Sequence, residues 1–144
     1  MKNPLPLILI LFSSCGAPKF TEVSDTEINS SKLELATELT EKILTAQKQA
    51  GFYKLTSSEA TSEMVSGFTE NVQKKSYETI SGMFGQFQAL KFYQLLRPID
   101  GTRYEVYRFK GQFDSETAQI EIRTVLDGNG KLAGFFIKPW KDNL

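Results

Sequence analysis

The sequence predicts an α+β fold: an N-terminal helix and a set of short helices packed on a curved, four-stranded antiparallel meander sheet. Three observations predict it. Ala118, Ile120, Ile122, Thr124 and Leu126 alternate with Gln119, Glu121 and Arg123, a period of two that marks a strand with one buried face. Gly128-Asn129-Gly130 sits between two such segments and tolerates the positive φ angles of a short hairpin. Upstream, Ala36, Leu39, Ile43, Ala46 and Ala50 recur at three- and four-residue steps, the stripe of an amphipathic helix.

Composition narrows the class. A chain of 144 residues has room for one core, and 40% hydrophobic with 12% aromatic content is enough to fill it. Lys plus Arg and Asp plus Glu both number 17, a balance that argues against a nucleic-acid partner. The absence of histidine removes the commonest general base and a favoured metal ligand, and the single cysteine rules out an intrachain disulfide and a Cys-rich zinc site. No cofactor or metal is expected.

At the N-terminus Lys2 precedes the apolar run Leu5 to Phe12, too short to span a bilayer as a mature helix. The run ends in Leu11-Phe12-Ser13-Ser14-Cys15, which resembles the lipobox of bacterial lipoproteins, with Phe12 where Leu is usual. That resemblance implies a signal peptide over 1–14 and acylation of Cys15 with palmitate-type chains, which become the membrane anchor. The alternative is an ordinary secretory signal that contains a cysteine. Two or more acyl chains anchor stably, at about 0.8 kcal/mol per buried CH₂, whereas one holds only marginally. Removing residues 1–14 takes only Lys2 from a 17-to-17 balance, so attachment rests on lipid rather than charge.

Residues 15–30 lack periodicity and read as a flexible tether, which leaves 31–141 as the folded domain. Ser31-Lys32-Leu33-Glu34 matches a capping box and predicts a helix from Ser31, ended by a left-handed Gly51. Thr61, Thr69 and Ser76 read as successive N-caps, giving short helices over 62–67, 70–75 and 77–84, the last closed by Gly85. Strands follow over 87–96, 102–113, 117–127 and 131–140, with the turn cluster Arg97-Pro98-Ile99-Asp100-Gly101 after the first.

Ser76-Tyr77-Glu78-Thr79-Ile80, Gly85-Gln86-Phe87, Tyr107-Arg108-Phe109-Lys110-Gly111 and the ending from Gly130 to Trp140 together resemble an uncharacterised domain of bacterial lipoproteins. That domain is similar to the nuclear-transport-factor-2-like superfamily, which includes ketosteroid isomerase. The resemblance covers about residues 31–141 and implies a cone-shaped fold; it does not imply one function, because the superfamily holds enzymes, carriers and interaction modules.

Motifs for chemistry are sparse. Gly128-x-Gly130-x-x-Ala133 is followed by a strand where a dinucleotide site needs a helix, and Asp127-Gly128-Asn129 lacks the later ligands of a calcium loop. Tyr53, Tyr77, Tyr93, Tyr104, Tyr107, Asp100, Glu105, Asp114, Glu121 and Arg123 remain. Glu105 shares a strand face with Tyr107 and Phe109, so a carboxylate base beside a tyrosine donor would suit a small isomerase or dehydratase. The alternative is a solvated Glu105 and a Tyr107 ring in the core. Lys110, Lys138 and Lys141 read as solvated edge charges.

The expectation is a non-catalytic binding or accessory module, lipid-anchored at Cys15 in the cell envelope, at the outer membrane facing the periplasm. Its protein partner or small apolar ligand would meet an aromatic face made of Tyr107, Phe109, Phe113, Phe92 and Phe135.

Overall fold

Strand pairing follows chain order. The computed structural model describes residues 19–117 and 119–142. Five antiparallel strands, β1 (Phe20–Glu22), β2 (Phe87–Pro98), β3 (Glu105–Phe113), β4 (Ile120–Leu126) and β5 (Leu132–Pro139), pair each with the next in one open sheet. Three helices precede the meander: α1 (Ser30–Lys48), α2 (Ser62–Gly67) and α3 (Glu70–Phe84). The α+β class is as expected, with five strands in place of four.

The fifth strand comes from the segment read as a tether. Phe20 pairs with Pro98 and Glu22 with Leu96, and the Val23 amide donates to the Leu95 carbonyl at 2.9 Å. Val23 is buried in the main core, and a single 3₁₀ turn (Asp25–Glu27) leads into α1. The described fold therefore includes β1 and Val23, upstream of residue 31. Three residues are too few to show alternation, and the strand depends on the edge of β2 that it covers.

Helices α1 and α3 lie on one face of the sheet. Ala36 and Leu44 of α1 and Tyr77 and Ile80 of α3 meet Leu95, Tyr107, Phe109, Phe113 and Ile122 in the largest apolar cluster. Leu39, Ile43, Ala60, Met64 and Leu132 form a second cluster where α1, α2 and β5 converge. Thr40 and Gln73, polar side chains buried between the layers, are paired. Thr40 Oγ1 reaches both the Ala36 carbonyl and Thr124 Oγ1, and the Gln73 amide ties α3 to Tyr53 N and O at 2.9 and 2.8 Å. Such pairing offsets the cost of taking these groups out of water.

The helix ends follow local chemistry. Thr61 and Thr69 cap α2 and α3, accepting from the amides of Met64 and Val72. Ser76 is not a cap: α3 runs unbroken through it, because Tyr77 and Ile80 continue the buried stripe that Gln73 begins. At α1 the cap is Asn29, whose Oδ1 accepts from Lys32 N at 3.0 Å, so the helix starts at Ser30 and Ser31 falls within its first turn. Its left-handed residue is Ala50 (φ 60°), one position before Gly51, and Gly51 N closes the end on the Ala46 carbonyl at 3.0 Å.

In the β4–β5 hairpin only Gly130 has a positive φ, 77°. Asp127 Oδ1 accepts from the amides of Asn129 and Lys131, both at 2.9 Å, and fixes the turn. Gly130→Val is accordingly expected to lower stability by about 2 kcal/mol, since a β-branched residue resists that φ. Gly128→Val should cost less. A Cβ there meets Arg103 side-chain carbons at 3.1 Å, and that flexible side chain can give way. Urea midpoints of the two single variants check the order.

Candidate functional site

The aromatic face predicted to receive a ligand is occupied. Tyr107, Phe109 and Phe113 are fully buried beneath α1 and α3. Phe92 stacks edge-on against Phe109 (centroids 5.9 Å apart) and Phe135 tilts against Phe68 (5.5 Å). Leu44, Tyr77 and Ile80 of the helices cover Tyr107, Phe109 and Phe113, while Phe92 and Phe135 are partly buried against the same cluster. Tyr107, Phe109 and Phe113 are core. Cys15, the predicted lipidation site, lies outside the described residues.

Glu105 and Tyr107 share this inner face but are not hydrogen-bonded to each other. Glu105 is buried and not solvated; Lys32 Nζ donates to its Oε1 at 2.7 Å and Arg97 Nη2 to its Oε2 at 3.2 Å. Burial alone would raise its carboxyl, but the bonds and charges of Lys32 and Arg97 prevail and hold it below the usual range. The Tyr107 hydroxyl is buried without a hydrogen-bond partner among the described residues. Burial first, and then the Glu105 charge, push its phenol well above the ordinary value. Both oxygens of the Glu105 carboxylate are thus already engaged by cations.

The other tyrosines and acids are also engaged. Tyr77 Oη donates to Gln86 Oε1 at 3.0 Å and accepts from Phe87 N at 3.1 Å, and the Asp114 carboxylate accepts from Gln86 N at 2.7 Å. Tyr53 Oη donates to Glu59 at 2.6 Å, and this bond, with burial, pushes its phenol up to about 12.

The unexpected feature lies on the opposite, outer face of the sheet. There Arg108 and Glu121 are fully buried, joined by Nε–Oε1 and Nη2–Oε2 bonds of 3.0 and 3.1 Å. Arg108 Nη1 also donates to Gln94 Oε1 and Nη2 to the Lys141 carbonyl (2.9 Å), and Arg123 Nε donates to Glu121 Oε1. The guanidinium carbon stands 4.5 Å from the Trp140 ring centre, and Tyr93 and Trp140 meet edge to face at 4.7 Å. Lys110 Nζ lies 4.7 Å from each of those rings. Lys138 completes the group; burial and then Arg123 hold its ammonium below the usual lysine range.

Backbone geometry builds this cluster. The register places Arg108 opposite Arg123, and Glu121 between Lys110 and Lys138. A register shift in β2 between Phe92 and Gln94 leaves Tyr93 as an extra residue, so that Tyr93 and Gln94 both reach Arg108. Neither Lys110 nor Lys138 is a plain solvated edge charge: β3 is the central strand, and both lysines are half-buried. Glu121, read as a solvent-side residue, is the hub. The partners of this network all come from strands and from residues 140–141, with no helix among them.

No metal-binding group of His, Cys, Asp or Glu occurs among the described residues, and no described helix is long and apolar enough to cross a membrane. The chain matches no family model, no curated protein and no solved structure.

Proposed function

We propose that this protein is a non-catalytic binding module of the bacterial cell envelope, anchored through acylated Cys15 to the outer membrane on its periplasmic side. It engages a protein partner through the outer face of its sheet. The observation that carries this reading is the Tyr93–Trp140 aromatic pair set among Arg108, Lys110, Arg123 and Lys138, with Glu121 bonded to the two arginines and Asp142 accepting from Trp140 Nε1 at 2.8 Å. Tyr93 is 46% exposed beside half-buried Lys110, so a rigid ring and an ammonium meet solvent together, while Arg108 stays buried beneath them. An exposed aromatic ring beside a lysine ammonium favours a partner surface carrying carboxylates.

A small apolar ligand is less well served, because the inner aromatic stripe is filled. The isomerase reading loses support for the same reason, and because Glu105 is already matched by Lys32 and Arg97. Kinship with the nuclear-transport-factor-2-like cone is supported by the order of helices followed by a meander.

Cross-linked envelopes solubilised in detergent test the proposal. Partner recovery with the full chain should fall on Tyr93→Ser and stay unchanged on Glu105→Gln. Cys15→Ala should move the protein out of the membrane fraction. Full recovery with Tyr93→Ser contradicts the assigned surface, and retention of the Cys15→Ala protein in the membrane contradicts the anchor.

A further inference from the structure

The start of β1 shortens the link to the membrane. Four residues, 16–19, separate Cys15 from Phe20, and a chain of that length spans at most about 18 Å however it is arranged. Part of that reach, about 5–8 Å, is taken by the headgroup layer. A domain of this size is about 35 Å across. The reach that remains, about 10–13 Å, is well under the width of the domain, so the end where β1 begins is held close to the surface to which Cys15 would be fixed.

The composition of that end fits contact with lipid headgroups. The Ile99 amide donates to the Lys19 carbonyl at 3.0 Å, so the point where the chain leaves for Cys15 is pinned beside the β2–β3 loop. Ile99 is 56% exposed, a large apolar side chain at the tip. The same end carries Lys19, bonded to Ile99 through its carbonyl, and Lys32 and Arg97, both paired with Glu105. Lys32, Arg97, Arg103 and Glu105 line a recess of about 320 Å³ that opens at this end and carries more positive than negative charge. Asp100 is turned onto its own loop, accepting from the Thr102 amide and hydroxyl at 2.9 and 2.7 Å. An apolar tip ringed by cations is the combination that inserts at an anionic lipid surface.

We infer that the β2–β3 end of the domain is a membrane-docking surface for anionic phospholipid headgroups, with Ile99 entering the interface and Lys19 and Arg103 meeting phosphates. The inference rests on the lipid-anchor reading above. It also orients the molecule, because the Tyr93–Trp140 cluster then lies away from the membrane-facing tip.

Full-length acylated protein carrying Ile99→Cys, labelled there with an environment-sensitive fluorophore, tests it in vesicles of phosphatidylethanolamine and phosphatidylglycerol containing a lipid-borne quencher. Met83→Cys, at an exposed position near the opposite end of the sheet, serves as the reference. The Ile99 probe should be quenched and blue-shifted while the Met83 probe is not, and Lys19→Glu with Arg103→Glu should abolish most of the difference. Equal signals at the two positions, with mass spectrometry showing Cys15 acylated, overturn the docking surface alone. An unmodified Cys15 overturns the anchor and the docking surface together.

Discussion

Glu121→Ala is expected to lower the stability of the domain by about 3–5 kcal/mol, the cost of removing one partner of a buried ion pair. Arg108 is 1% exposed and would lose both bonds to Glu121, keeping only Gln94 and the Lys141 carbonyl. Arg123 and half-buried Lys138 would lose the same anion. Replacing Arg108 and Glu121 together by leucine should cost much less, because no uncompensated charge is left buried.

The same pair makes stability depend on pH. Burial by itself would raise the Glu121 carboxyl, but the hydrogen bonds and charges of Arg108 and Arg123 outweigh it and hold it below 4.5. Its contribution is therefore fully present above the ordinary glutamate value and is lost as pH falls through the lowered folded value. Urea midpoints of the native chain should fall with acidification below about pH 4.5. The Glu121→Ala variant should show a shallower fall. A loss under about 1 kcal/mol for Glu121→Ala would mean that water reaches the pair.

Phe109→Ala is expected to cost about 3–5 kcal/mol, in the range for deleting a fully buried aromatic ring. Phe109 has no exposed surface, lies on the central strand, and supports Phe92 edge-on at 5.9 Å. The cavity left would sit between the sheet and the helices, where the antiparallel ladder on both sides of β3 limits collapse. Thermal unfolding should show a single transition shifted sharply down. Binding of an apolar probe by the intact domain, lost on this substitution with no change in midpoint, would contradict a filled inner face.

The local elements were legible because their signals are local. Thr61 and Thr69 precede apolar stripes at helical spacing, Gly85 takes the φ of 81° that ends α3, and the alternation around Ile120 and Ile122 marks β4. What depends on tertiary pairing was not legible. β1 is too short for a pattern and forms only because β2 offers an edge. Asn29 prevailed over Ser31 because one capping position starts the helix one residue earlier.

The candidate site was missed for a related reason. Glu121 and Arg108 each occupy the polar phase of an alternating strand, which reads as solvent-facing. Only the register brings Glu121 between Lys110 and Lys138, and only the irregularity at Tyr93 turns two consecutive residues of β2 toward Arg108. Arginine, glutamine and two aromatic rings recurring on neighbouring strands were the available signal, and without the pairing it has no geometry.

We propose that the outer sheet face, and not the helical side, is the working surface. Tyr93 (46% exposed) and Met83 (58% exposed) stand on opposite sides of the sheet and are both open to solvent. Each can be replaced singly by a photoreactive aromatic residue in the full chain within intact envelopes. Irradiation should give a discrete higher-mass adduct from position 93 and none from position 83. An adduct from position 83 with none from position 93 would contradict the account.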